Sequence, residues 1–116
     1  MNESDYNFEN VCRTALILRP KQPFVDWINK CELSNNFTLS DLSTDVFLLP
    51  DFDEEIEMDE WLEHNYDRLF CHQMNSWYVD SSYWPKIRTF KIFKEWFTYS
   101  FHTMLWDTEQ DNIDKL

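Results

Sequence analysis

The sequence has no glycine among its 116 residues, and this absence excludes several kinds of site. A phosphate-binding loop and a dinucleotide-binding fingerprint both need glycines, because the backbone has to approach the phosphates closely. A nucleophile elbow also needs small glycines beside its serine. We therefore expect no nucleotide-dependent enzyme of these types and no cofactor.

Cysteines are few, and apolar runs are short. The three cysteines, Cys12, Cys31 and Cys71, are odd in number and form no CxxC pair. This favours neither a disulfide framework nor a zinc site, and three unpaired thiols fit a reducing compartment. No apolar run approaches the ~20 residues that a membrane helix needs, and the N-terminus (MNESDYNFEN) is too polar for a signal peptide. We expect a cytoplasmic protein.

Positive charge is also scarce. The chain has 22 acidic and 10 basic residues, which gives a formal net charge of −12. Nucleic acids and anionic membranes repel such a chain, so we expect it to bind neither. The charge would suit a basic protein partner, or it serves solubility alone.

Aromatic side chains are abundant instead. Phe, Tyr and Trp make up 18% of the chain, with six Trp residues. Each buried aromatic removes roughly 150–250 Å² from water, so the core should consist of a few large side chains. Alternatively, some of these rings lie on the surface and anchor a partner, because Trp and Tyr are enriched at binding hot spots.

The hydrophobic pattern predicts an α+β fold in the order β-α-β-α-α-β, with one short helical turn after the first helix. A crossover through the first helix should make the first two strands parallel, and a helical hairpin should make the third strand antiparallel. We expect a single domain over residues 11–107, a small mixed three-stranded sheet with helices packed on it, and polar tails over 1–10 and 108–116. The predicted strands cover 11–19, 46–49 and 99–106, the short turn 38–41, and the helices 23–31, 53–77 and 85–97.

His102 is the one candidate for a catalytic residue. It lies in the middle of the predicted third strand, and a histidine there could act as a general base. A hydrogen-bonded structural histidine is the favoured alternative. Ser100, His102 and Asp107 could form a Ser-His-Asp set, although the sequence gives no further reason to expect one.

Two charged segments are candidate binding surfaces. The acidic residues between 51 and 60 form a solvated helix start or dock a basic partner, and no calcium-binding pattern is present, so we predict no metal site. His64 and His72 lie eight residues apart, which is not the usual zinc spacing. The basic residues of the last helix balance the acidic helix, or else Lys86 and Arg88 contact a partner or an anion together with Trp84. The basic candidates are Lys86, Arg88, Lys91 and Lys94, and Arg19 and Lys21 follow the first strand.

Three stretches of the chain carry a resemblance to a known family. They are residues 18–29 (LRPKQPFVDWIN), 77–86 and 97–104 (FTYSFHTM), and together they resemble a family of small, acidic, uncharacterised bacterial proteins. These proteins carry a "PKxPFxxW" segment, an acidic middle helix and a late "WF…FHSM" segment. The resemblance spans 11–107 and implies no activity, but it draws attention to Lys21, Trp27, Trp84 and His102.

The preferred hypothesis is a non-enzymatic protein-interaction module that binds through exposed aromatics flanked by acidic residues. One alternative is an acidic inhibitor of the immunity type that mimics nucleic acid. Another is a small enzyme centred on His102. A three-stranded sheet also leaves two open edges, so a homodimer could form through an edge strand. The predicted binding residues are Arg19, Lys21, Trp27, Trp84, Lys86 and Arg88.

Overall fold

The structure of the chain is a computed structural model that describes residues 3–116. It contains short 3-10 turns at Glu3–Tyr6, Leu39–Asp41 and Ser81–Tyr83. The helices are α1 (Gln22–Cys31), α2 (Glu55–Asn75) and α3 (Phe90–Trp96). The strands are β1 (Glu9–Asn10), β2 (Thr14–Pro20), β3 (Asp45–Leu49), β4 (Phe97–His102) and β5 (Trp106–Asp107).

The main sheet has three strands in the order β3-β2-β4, and helices pack on one of its faces. The predicted α+β class, the three-stranded sheet and the antiparallel third strand are confirmed. The predicted parallel pairing of the first two strands is wrong, because β2 and β3 are antiparallel.

The loop after α1 explains the antiparallel pairing. The Asn29 side chain donates from Nδ2 to the Phe37 carbonyl at 3.0 Å, and its Oδ1 accepts from the Phe37 amide at 2.9 Å. Asn35 Nδ2 also donates to the Ile28 carbonyl at 2.9 Å. These bonds hold the return segment alongside α1. The chain therefore re-enters the sheet at the end where β2 finished, and β3 runs in the opposite direction.

Helix α2 crosses the sheet from the β4 edge to the β3 edge. The Phe52 amide donates to Thr14 Oγ1 at 3.1 Å, which fixes the segment before the helix at the start of β2. At the other end, Gln73 Nε2 donates to Asp45 Oδ2 at 2.6 Å. The buried face of the helix carries Met58, Leu62, Leu69, Phe70, Gln73 and Met74.

The last helix begins later than its apolar pattern predicts. Residues 85–89 are not helical, and Thr89 caps α3 by accepting the Ile92 amide on Oγ1 at 3.1 Å. Ile87 lies in this non-helical segment and is exposed. The short helix then passes directly into β4.

The core is built largely from aromatic rings, as the composition predicts. Phe24, Phe70, Phe93 and Phe97 are almost fully buried and contact one another with centroid separations between 5.1 and 6.0 Å. Trp96 packs on Phe70 at 5.2 Å. Tilted and edge-on ring pairs of this kind stabilise a core beyond the area that they bury.

A two-stranded ribbon extends from the main sheet. Strand β1 pairs with β5, and the Val11 amide donates to the Leu105 carbonyl at 2.7 Å between this pair and the β2–β4 pair. Glu9 and Asn10, which we assigned to a polar tail, therefore form a strand. The molecule is elongated, with extents of 56 × 32 × 23 Å and a radius of gyration of 17.3 Å. A compact domain of this length would have a radius of gyration of about 13 Å.

Among residues 3–116, none of the helices is both long and apolar enough to cross a membrane.

Candidate functional site

The far end of the ribbon displays aromatic side chains on one face. Trp106 pairs directly with Asn10 across the strands, and Phe8 lies just before β1. Phe8, Trp106 and Tyr6 line one shallow cavity of about 350 Å³, which places the three rings together. All three rings are exposed, Trp106 by 52% and Phe8 by 43%.

The opposite face of the ribbon carries two carboxylates. Glu9 pairs directly with Asp107 across the strands, and like charges in that position repel each other. Asp107 is held by its own turn, because its Oδ1 accepts the Glu109 amide at 2.9 Å. We call Tyr6, Phe8, Glu9, Trp106 and Asp107 the ribbon tip. Further carboxylates follow in sequence at Glu109, Asp111 and Asp114.

The ribbon tip combines exposed aromatic rings with paired carboxylates. Its exposed rings offer apolar area to a partner, and its paired carboxylates offer a position for a cation between them. An isolated two-stranded ribbon is only marginally stable in water, because little of its surface is buried. A partner that covers the aromatic face would therefore stabilise the ribbon as it binds.

The structure separates the predicted basic contacts Arg19 and Lys21 from the ribbon tip. Arg19 is exposed near the end of β2, where it pairs with Thr98. Lys21 is half-buried at the start of α1, and its amide donates to the Trp96 carbonyl at 2.7 Å. Both residues lie at the end of the sheet opposite the ribbon.

The predicted aromatic contacts have internal partners. Trp27 is only 7% exposed, and its Nε1 donates to the Tyr83 carbonyl at 2.9 Å. Trp84 is half-buried, and its Nε1 donates to the Tyr78 carbonyl at 2.8 Å. Trp27 therefore fastens the segment 78–84 to α1, and the bond of Trp84 closes that segment on itself.

The predicted basic residues Lys86 and Arg88 differ in their surroundings. Lys86 is exposed. Arg88 Nε donates to Asp67 Oδ1 at 2.8 Å, and its Nη1 donates to the Pro85 carbonyl at 2.8 Å. The hydrogen bond to Asp67 also raises the pKa of Arg88. This geometry supports charge balance between α2 and the segment before α3.

His102 is the last residue of β4 and is exposed, so its predicted position in the middle of a strand is wrong. Its Nε2 lies 2.9 Å from Ser100 Oγ, which is within hydrogen-bond distance. Within residues 3–116, however, no carboxylate hydrogen-bonds to the ring. Asp107, the third member of the considered set, lies on β5 and bonds to the Glu109 amide. The pair thus lacks the group that orients the histidine in a catalytic triad.

The part of the chain that the structure describes contains no group of three or more metal-ligating side chains. His64 Nδ1 lies 2.7 Å from the Glu60 carbonyl, whereas the ring of His72 packs edge-on against Phe47 at 5.5 Å. The acidic residues between 51 and 60 are exposed at the start of α2. They remain available for a basic partner.

Sequence reasoning missed Tyr6, Phe8 and Trp106. Tyr6 and Phe8 fall in the segment that we assigned to a tail, and Trp106 falls at the end of a predicted strand. One sequence signal was available: each of these rings is followed within three residues by an acidic residue, as the preferred hypothesis requires.

No protein-family model, no curated protein and no solved structure matches this chain. The resemblance to small acidic bacterial proteins therefore stays a prediction.

Proposed function

We propose that the protein is a non-enzymatic interaction module that binds a basic segment of a partner protein at the ribbon tip. The observation that carries this proposal is the arrangement of the two ribbon faces. Phe8 and Trp106 are exposed side by side on one face, and Glu9 opposes Asp107 on the other.

The two faces contribute differently to binding. The aromatic face supplies most of the affinity, because buried Trp and Tyr residues dominate the energetics of protein interfaces. The carboxylates favour a basic partner and speed its approach, since electrostatic complementarity acts mainly on selectivity and association rate. A Lys or Arg placed between Glu9 and Asp107 also relieves their mutual repulsion.

The test compares proteins captured from a lysate of the native cell by the wild-type chain and by the double variant Phe8→Ala/Trp106→Ala. We expect the variant to lose a specific partner that the wild type retains. With that partner purified, calorimetry should show affinity at least about 30-fold weaker, the effect of losing one hot spot. Ile87→Ala is the matched control, because Ile87 is an exposed apolar residue away from the ribbon.

The proposal fails if the double variant binds the purified partner as tightly as the wild type while Ile87→Ala weakens binding. It also fails if the captured partner is acidic and binds more tightly after Glu9→Lys. Circular dichroism of each variant shows whether the main domain is intact.

A second candidate function is an acidic inhibitor that mimics nucleic acid. The observation that favours it is the exposed row of carboxylates at the start of α2, where none of the acidic residues between 51 and 60 forms an ion pair within residues 3–116. This function predicts binding that is lost in about 1 M salt, where screening is nearly complete. It also predicts sensitivity to Glu55→Gln and Asp59→Asn, but not to Trp106→Ala.

We place the module in the cytoplasm. This placement is supported by three cysteines that are all free thiols, of which Cys12 is exposed.

A further inference from the structure

A groove runs between the edge strand β3 and helix α2, at the side of the molecule away from β4. We call it the β3 groove. It encloses about 290 Å³, and its apolar lining includes Phe47, Leu49, Trp61 and Leu69. Arg68 and His72 of α2 also line the groove. The groove therefore has a strand as one wall and a helix as the other.

The outer edge of β3 is open. Strand β3 is the last in the sheet order, and within the described residues 3–116 its main chain forms hydrogen bonds only with β2. Natural edge strands are usually blocked by a lysine, an internal proline, a bulge or a covering segment. The sequence DVFLL has none of these, and its one charged residue, Asp45, is engaged by Gln73. Val46 and Leu48 are 60% and 51% exposed on the helix-free face.

The charge of the groove differs from that of the rest of the molecule. The chain contains 22 carboxylate residues, yet of those that the structure describes none lines this groove. Arg68 donates from Nη1 to the neutral Asn65 side chain at 2.8 Å and has no carboxylate partner among residues 3–116. The cleft at the opposite sheet edge, beside β4, contains Glu55 and Asp59 instead. The β3 groove is thus suited to an apolar ligand that carries a negative charge.

We propose that the β3 groove binds an extended, apolar segment of a partner protein that carries a carboxylate, and that this segment adds to the sheet as a strand beside β3. Main-chain hydrogen bonds to the open edge provide affinity, and alternate side chains enter the groove. The remaining side chains lie beside Val46 and Leu48, and the carboxylate pairs with Arg68. This site is separate from the ribbon tip and does not rest on the function proposed for it.

The probe for this proposal is the fluorescein-labelled peptide Val-Thr-Val-Thr-Glu-Thr-Val, capped at both ends, in which the valines and the glutamate share one face of the strand. Its binding is followed by fluorescence anisotropy and compared with that of the same peptide with lysine in place of glutamate. We expect the wild type to prefer the glutamate peptide. Arg68→Glu should weaken binding of the glutamate peptide at least about tenfold and should make the protein prefer the lysine peptide, as expected for a reversed charge pair. Lys91→Glu, which changes an exposed lysine of α3, is the matched control and should leave the preference unchanged.

Main-chain pairing is tested with the same glutamate peptide after N-methylation of alternate amides. We expect the methylated peptide not to bind, because it cannot form the strand hydrogen bonds. Equal binding of the methylated peptide overturns the proposal, as does a preference that Arg68→Glu leaves unchanged. Absence of wild-type binding at about 1 mM peptide, the limit of weak specific recognition, overturns it too.

A second copy of the chain is the competing occupant of the open edge. Sedimentation of the wild type and of Leu48→Lys, at the protein concentrations of the binding experiment, distinguishes a second copy from a peptide segment. A monomer in both cases supports the peptide site. A wild-type dimer that Leu48→Lys dissociates assigns the edge to a second copy and overturns the proposal.

Discussion

Arg88 Nε donates to Asp67 Oδ1 at 2.8 Å and thereby joins the segment before α3 to the middle of α2. A second bond, from Arg88 Nη1 to the Pro85 carbonyl at 2.8 Å, holds the same segment in its non-helical path. The two bonds act together on residues 85–89. They orient Arg88 toward α2.

Arg88→Ala should lower the free energy of unfolding by about 1–2 kcal/mol, because it removes the three hydrogen bonds of a partly buried guanidinium group, two to Asp67 and one to the Pro85 carbonyl. Asp67→Asn should cost less, about 0.5 kcal/mol, since Asp67 is half exposed and water screens its charge. Urea unfolding followed by tryptophan fluorescence measures both values. Arg68→Ala serves as the control and should change stability by less than about 0.5 kcal/mol. Equal effects of Arg68→Ala and Arg88→Ala would contradict this account.

Phe70 lies at the centre of the aromatic core and should be among the most costly residues to truncate. Its ring contacts Phe93, Trp96 and Phe97 at centroid separations of 6.0, 5.2 and 5.6 Å. Phe70→Ala should lower the free energy of unfolding by about 3–5 kcal/mol, because apolar burial is lost and a cavity remains. This is a large part of the roughly 5–15 kcal/mol that stabilises a domain. Phe8→Ala, at an exposed ring, should cost less than about 0.5 kcal/mol in the same urea experiment.

The local parts of this fold could be predicted from the sequence. Pro23 lies in the first turn of α1, where its missing amide costs nothing, and the apolar face of that helix is buried as its spacing predicts. The capping box of Thr38 and Asp41 is present at the 3-10 turn that begins at Leu39. Each of these features depends on neighbours within about one helical turn. Such signals are readable without tertiary information.

The parts that depend on distant contacts could not be predicted. The direction of β3 is set by hydrogen bonds from Asn29 to Phe37, and a sequence does not show which side chain of a loop will make such bonds. The late start of α3 depends on Arg88 pairing with Asp67, 21 residues away. The ribbon tip depends on pairing of the two ends of the chain. The predicted site residues lie elsewhere for this reason.

The three thiols should differ in reactivity. Cys12 is exposed, whereas burial raises the pKa of Cys31 and of Cys71 above its usual value. Glu32 adds to this effect at Cys31, and Asp67 adds to it at Cys71. A raised pKa means that less of the reactive thiolate exists at pH 7–8, so both thiols react slowly there.

Titration with Ellman's reagent at about pH 7.5 should therefore show one fast thiol and two that are at least about tenfold slower. The slow thiols should accelerate as the pH rises toward their raised pKa values. Cys12→Ser should remove the fast phase alone. Three phases of equal rate in the native protein would contradict the assigned burial, and unfolding in urea should make all thiols equivalent.

The helix cap at Thr89 offers a test of where α3 begins. Its Oγ1 accepts the Ile92 amide at 3.1 Å, so Thr89→Ala should cost about 1 kcal/mol, the usual value for a lost cap. Thr89→Ser keeps the hydroxyl and should cost much less. If the helix instead began near residue 85, Thr89 would be an internal position. Alanine would then stabilise the helix, and the sign of the change in unfolding free energy decides between the two.

Glu9 separates the stability of the ribbon from its binding function. Glu9→Lys replaces the repulsion across the strands from Asp107 with an attraction, and cross-strand pairs contribute roughly 0.2–1 kcal/mol. Hydrogen exchange at the Val11 amide, which bonds to the Leu105 carbonyl, should therefore slow about two- to fivefold. Binding of a basic partner should weaken in the same variant, because the site for its cation is now occupied by a lysine. Glu9→Gln should lie between the wild type and Glu9→Lys, both in the exchange rate of the Val11 amide and in the affinity for a basic partner. If slower exchange were accompanied by tighter binding of a basic partner, the paired carboxylates would have no part in recognition, and the aromatic face alone would have to account for it.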